Sequence, residues 1–190
     1  PACVAGRHHL CTQLGFVGEV CDGGFAEEVV LPARLLMKHD QGLASEVAAT
    51  AEPLAVALHA VARLAAGPEN TVLLTGRCMI GARSALLLAQ GPRRTCLIAD
   101  RNAQRAGRVA EATGGRVVDI EAAALSAVSG VVEATGSAAL LSVLPGLLPG
   151  GARIAMVGIY HGAFDLDPTI LVEREISLTG CHAFTDELPK

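Results

Sequence analysis

The stretch Thr71-Val72-Leu73-Leu74-Thr75-Gly76-Arg77-Cys78-Met79-Ile80-Gly81 decides the fold of this chain. Its first five residues are apolar or β-branched and read as a buried strand. Gly76 then permits a tight turn, and an apolar helical run follows over residues 80–90. A strand that turns through glycine into a helix opens a βαβ unit. The spacing is G-x-C-x-x-G, with Cys78 where a middle glycine is usual. Gly81 lets the helix pack close to the sheet, and the helix start, from Met79 and Ile80, points amide hydrogens at a phosphate. Cys78 is small, but it carries a side chain where backbone normally approaches phosphate. It is accommodated by a slight shift, or it weakens binding.

Downstream the same alternation repeats. Strands are predicted at 95–100, 116–118, 131–134, 154–157 and 176–179, with helices at 103–113 and 138–148. Upstream, Glu52-Pro53 opens a helix with Leu54, Leu58, Val61 and Leu64 on one face, ended by Gly67-Pro68. Strands alternating with helices of this length predict an α/β fold, with six parallel strands doubly wound by helices on both faces. Ligands then bind at the carboxyl ends of the strands.

The second strand ends in Asp100, 19 residues after Gly81. An acid there accepts both ribose hydroxyls of an adenosine and repels a 2′-phosphate, which favours NAD over NADP. Arg101 follows directly and softens that preference. The alternative is that Asp100 merely caps the next helix. Thr135-Gly136 and Val157-Gly158-Ile159 end the fourth and fifth strands, where the nicotinamide half would sit; otherwise these glycines are simple strand punctuation.

Composition agrees with this reading. The 190 residues are 51% hydrophobic, 18% charged and 3% aromatic, with no Trp, which suits buried parallel strands and Ala-rich helices. The net charge of -4 and the absence of a basic patch exclude nucleic acid as a partner. No segment reads as a membrane span, because the most apolar region, 138–159, is interrupted by Pro145, Pro149, paired glycines and Arg153. Cys78, Cys96 and Cys181 sit in apolar contexts and read as small reduced core residues. A reducing cytoplasm is expected rather than a disulfide framework.

Residues 1–48 differ. They carry Cys3, His8, His9, Cys11 and Cys21, a turn at Asp22-Gly23-Gly24, and short strand candidates at 25–31 and 35–38. No helical period runs through them, so they read as part of a β-rich unit with an irregular lobe.

Together these marks resemble the medium-chain zinc-dependent alcohol dehydrogenase family, in its sorbitol, threonine and butanediol dehydrogenase branch. The resemblance covers nearly the whole chain. It is carried by Cys3-x7-Cys11, Asp22-Gly23-Gly24-Phe25-Ala26-Glu27, Glu52-Pro53-Leu54-Ala55-Val56-Ala57-Leu58-His59, Gly76 with Gly81, Asp100 with Arg105, Glu133-Ala134-Thr135-Gly136 and Gly150-Gly151-Ala152-Arg153. It implies a Rossmann domain over 49–184, a fragment of the β-rich, GroES-like catalytic domain over 1–48, and the start of a return to that domain over 185–190.

It also implies two zinc ions in the intact parent. Cys3 and Cys11 match the third and fourth thiolates of a structural site, so the chain is expected to begin just after the second. Two thiolates cannot complete a four-thiolate tetrahedron. Glu52 matches the glutamate that reaches the catalytic zinc, although an acid at a helix start also simply complements the dipole. His8 and His9 are expected to be exposed, and His59 to pack in an interface. The parent enzyme would pass hydride from a secondary alcohol, a polyol or amino alcohol, to NAD, as a homodimer or homotetramer. The alternatives are a non-catalytic nucleotide-binding or oligomerisation module, and a zinc-free quinone or enoyl reductase. The chain departs from the family at Cys78-Met79, where Gly-Pro is usual, and at Glu28, where Tyr is common.

Overall fold

The computed structural model describes residues 2–67, 70–76, 78–91, 94–121 and 125–188; Pro68 and Arg77 of the sequence reading lie outside them. Six parallel strands form one sheet: β1 (Thr71–Thr75), β2 (Thr95–Ala99), β3 (Arg116–Val117), β4 (Val128–Glu133), β5 (Arg153–Met156) and β6 (Ser177–Gly180). Their order is β3-β2-β1-β4-β5-β6. The chain leaves the sheet centre in both directions, so the order reverses between β1 and β4.

Side chains alternate across each strand, and both faces are buried. Leu73, Leu97, Val131 and Ile154 point into one core with Leu141, Leu144 and Leu148. Val72, Leu74, Cys96, Ile98, Val132 and Ala155 point into the other, with Ala60, Leu64, Ala85 and Leu88. This two-sided burial is why the strands read as continuous apolar runs. Each fully buried Leu or Val contributes about 1.5–3 kcal/mol.

The helices supply the cover. They are α1 (Ser45–Ala48), α2 (Ala51–Leu64), α3 (Met79–Ala89), α4 (Ala103–Thr113), α5 (Ala138–Leu147) and α6 (Pro168–Arg174). Ala55, Ala57 and Ala60 on α2 are fully buried, and their small size lets α2 lie close against α3. Helix α2 closes at Ala65, which adopts φ 49° and donates its amide to the Ala62 carbonyl, ahead of the expected Gly67 stop. Helix α4 is capped by Asn102, whose side chain accepts from the Arg105 amide at 3.0 Å, and ends at Gly114 with φ 66°.

Some expectations are corrected. Strand β4 begins three residues earlier than predicted, because Ser129 and Gly130 hide its start. Helix α6 was not foreseen, although Asp167 caps it by accepting from the Thr169 amide at 2.9 Å, with Pro168 in its first turn. The candidate strands at 25–31 and 35–38 do not form. Among the described residues, 2–48 hold two short 3-10 turns (His8–Leu10 and Ala33–Leu35), α1 and an isolated bridge between Val17 and Cys21. A strand needs a hydrogen-bonded neighbour, and among the described residues none pairs with these segments. Phe25 and Val30 accordingly stay exposed. The stretch Ser45–Leu64 is long and apolar enough to cross a membrane by length and composition, which the sequence reading had excluded. In the fold it is interrupted between α1 and α2, and the apolar face of α2 packs on α3 and the sheet.

Residues from both ends of the chain meet on α2. The His59 ring nitrogen Nδ1 lies 2.6 Å from Glu187 Oε1, and the His9 ring packs edge-on against His59 at 5.3 Å. His59 is buried as expected; His9 is half-buried rather than exposed, because His59 is its neighbour. Partial burial pushes the Glu187 carboxyl up, but the bonds from His59 and the Thr185 amide outweigh it and hold the group below its ordinary value. A carboxyl with a lowered folded value adds stability above its unfolded value and loses it as pH falls through the folded one. Wild type should therefore melt above Glu187→Gln near neutral pH. The gap should close below the ordinary glutamate range, as read from melting temperatures across pH.

Candidate dinucleotide site

The site lies at the carboxyl ends of β1, β2, β4 and β5, where the strand order reverses. It is built by close backbone packing. Gly76 adopts φ 79°, a left-handed conformation that glycine accepts without strain. A Cβ on Gly81 would sit 1.9 Å from the Gly76 carbonyl oxygen, so only glycine allows α3 to start against the turn. The first amides of an α-helix lack intrahelical partners. Those of Met79, Ile80 and Gly81 are the ones that face an anion placed at this end.

Cys78 precedes α3 as its cap residue. The sequence reading placed it in the core, but its side chain is exposed. Its thiol donates to the Ala134 carbonyl at 3.6 Å, across the gap between β1 and β4. The turn positions it at the cleft wall because the strand ends at Thr75 and the sheet no longer covers residue 78. Cys96 is buried, as expected; Cys181 is half-buried, packed against the core rather than within it.

Asp100 follows β2 and is half-buried. Its Oδ1 accepts from the Asn102 amide at 2.7 Å, which shapes the turn into α4. The cap of α4 is Asn102, so the capping alternative for Asp100 is not what the fold uses. Arg101 and Arg105 are exposed beside it.

On the other side of the cleft, Gly136 and Gly158 interlock. A Cβ on Gly136 would lie 2.2 Å from the Ile159 carbonyl oxygen, and one on Gly158 would lie 2.3 Å from the Gly136 nitrogen. Val157 and Gly158 donate their amides to the Glu133 carbonyl oxygen at 2.9 and 3.0 Å. Ile159 stands 81% exposed, an apolar surface at the cleft wall. Thr135 is exposed, yet its polar groups bond into the protein: its amide donates to Glu133 Oε1 at 2.7 Å, and its hydroxyl to the same oxygen. Its bonding capacity serves the protein before it serves a ligand.

Two residues escaped the sequence reading. Glu133 was seen only as part of a turn, yet it is a fully buried carboxylate. Tyr160 donates its hydroxyl to Glu133 Oε2. Burial and this bond raise the phenol far above its ordinary value. The available signal was a charged residue closing the apolar run Val131-Val132.

Of the metal candidates, Cys3 and Cys11 come together, but Glu52 does not join them as a third ligand. Cys3 donates its thiol to Cys11, which lowers the Cys11 value and raises that of Cys3. Glu52 is exposed in the first turn of α2. Among the described residues, no three His, Cys, Asp or Glu side chains converge as metal ligands. These residues alone do not fit a zinc site, which needs three or four donors.

No protein-family model matches the chain. Among curated proteins, it is 29% identical to an L-galactonate-5-dehydrogenase of Escherichia coli K12, over 98% of this chain and 57% of that protein. It is 28% identical to a sorbitol dehydrogenase of Arabidopsis thaliana, over 98% of this chain and 56% of that one. The chain thus spans about half the length of the curated relatives it matches. Its fold superposes on an alcohol dehydrogenase of E. coli CFT073 complexed with NADH, with a TM-score of 0.90 at 21% identity, covering 98% of this chain and 58% of that one. A protein of Sinorhizobium meliloti 1021 assigned as a zinc-binding dehydrogenase, bound to NADP, gives 0.84 at 28% identity, covering 97% and 58%. With its six-stranded sheet and glycine turn, the chain is therefore similar, over little more than half of their length, to alcohol and polyol dehydrogenases.

Proposed function

We propose that this chain is the NAD-binding part of an oxidoreductase that takes hydride from a secondary alcohol, a polyol or an amino alcohol. The observation that carries the reading is the Gly76–Gly81 contact at the point where the strand order reverses. It presents helix amides to a pyrophosphate, and Asp100 stands one strand away for the adenosine ribose. Bound NAD would supply a hydride acceptor at its nicotinamide ring. The chain's own residues bind and orient it. The Gly76 turn and the first turn of α3, with Cys78, Met79 and Ile80, take the diphosphate. Asp100, flanked by Arg101 and Arg105, takes the ribose. Thr135, Gly136, Val157, Gly158 and Ile159 wall the nicotinamide half and exclude water there.

In the whole protein, Cys3 and Cys11 would be two of four structural zinc ligands, and Glu52 would approach a catalytic zinc. This chain's described residues do not complete either site. A division at residues 48 and 184, a homodimeric or homotetrameric assembly and a cytoplasmic location belong to the same proposal.

Asp100→Ala tests the cofactor assignment. The variant should bind NAD at least about tenfold more weakly by titration calorimetry, a loss of about 1.4 kcal/mol. NADP should be affected less, because the lost carboxylate would have repelled its 2′-phosphate. Unchanged NAD affinity would sink the assignment.

A further inference from the structure

We infer that Glu133 is the positioning residue of the nicotinamide half of the cleft, the group that holds the ends of β1, β4 and β5 in one fixed arrangement. The inference rests on the dinucleotide reading above and assigns a role that reading leaves open. Glu133 is the last residue of β4 and is fully buried. Its Oε1 accepts from the Thr135 amide at 2.7 Å, from the Thr135 hydroxyl, and from the Thr75 hydroxyl of β1 at 3.5 Å. Its Oε2 accepts from the Tyr160 hydroxyl beyond β5 and from the Gly136 amide at 3.4 Å. Its backbone carbonyl takes the Val157 and Gly158 amides.

One residue thus meets three strand ends, and each of these partners is a neutral donor. A buried carboxylate in such surroundings is tolerated only because the donors replace its water. The arrangement is also tight. Glu133 Oε2 lies 3.0 Å from where a Cβ on Gly158 would stand, and Gly158 already abuts Gly136. Tyr160 packs against the core on one side and bonds Glu133 on the other, which anchors the loop that carries Ile159. Glu133 does not face the ligand. It acts through Thr135, Gly136 and Ile159, which do.

A carboxamide at this position has one acceptor and one donor end. Whichever way it turns, its NH2 confronts either the Thr135 donors or Tyr160 and Gly136. The turns after β4 and β5 would then separate, while the Gly76 turn and Asp100 keep their places. The experiment is calorimetric titration of this chain and its E133Q variant with NADH and with ADP, alongside the fluorescence of bound NADH. In E133Q, NADH should bind about tenfold more weakly, equivalent to about 1.4 kcal/mol, and lose its nicotinamide emission shift, while ADP binding changes less than about twofold. Equal losses for both ligands, or no loss for either, would overturn the assignment, since general destabilisation does not distinguish the two halves of the cleft. If E133Q does not fold, Tyr160→Phe removes one donor and keeps the carboxylate. It should weaken NADH selectively, and a parallel fall in ADP binding would overturn the proposal. Wild-type chain that binds neither ligand would instead overturn the cofactor reading, and this assignment with it.

Discussion

Gly81→Val should abolish dinucleotide binding and destabilise the chain by roughly 3 kcal/mol or more, at the upper end of over-packing costs. Even the first added carbon would stand 1.9 Å from the Gly76 carbonyl oxygen and 3.0 Å from its carbon. These are backbone atoms of a turn that already uses φ 79°, so they have no rotamer through which to retreat. The only relief is to move α3 away from β1. That movement withdraws the Met79–Gly81 amides from the phosphate position and opens the contact between α3 and α2. Binding and stability therefore fail together at this position. Gly107 supplies the control. It lies within α4 with nothing within 4 Å of its would-be Cβ, so Gly107→Ala should leave binding intact and stabilise by about 0.5–1 kcal/mol. Urea denaturation and NAD titration of both variants check the contrast; a Gly81→Val protein of wild-type stability would refute the packing argument.

Leu73→Ala should lower stability by about 2–5 kcal/mol, without direct contact with the cofactor site. Leu73 is fully buried at the centre of β1, between Leu97 of β2 and Val131 of β4 in the sheet. It faces the core that holds Leu141, Leu144 and Ile154. The strands on either side fix the backbone, so the cavity collapses little. A loss of this size is a large fraction of the 5–15 kcal/mol typical of a folded domain. Val117→Ala, in the exposed edge strand β3, should cost far less, because Val117 is 41% exposed. The midpoint of chemical denaturation measures both.

Much of this was legible in the sequence, for a local reason. The Gly76 turn, the six strands and the acid at Asp100 depend on residues close in sequence. Their signals are apolar runs, glycine and spacing. What escaped depends on distant partners. Glu133 is explained only by Thr75 and Tyr160, and no spacing rule connects residues 58 and 27 positions away. Cys78 looked apolar by its neighbours, but the sheet ends before it. The candidate strands before residue 40 had the right composition and lacked a neighbour to pair with. Helix α6 was visible in Asp167-Pro168, a cap followed by a helix-starting proline, but its run of seven residues is too short to establish a period.

The two walls of the cleft differ in how their amides are used. Those of Thr135, Gly136, Val157 and Gly158 are already bonded to Glu133, while those at the start of α3 have no helical partner. The cleft is therefore mechanically asymmetric. The wall formed after β4 and β5, the nicotinamide side on the proposed reading, is held in place before any ligand arrives and would lose little entropy on binding. Its phosphate end offers open valences that a ligand must fill. On the proposed reading, affinity would be set chiefly at the diphosphate, and the geometry of the nicotinamide ring chiefly by a side chain that does not touch it.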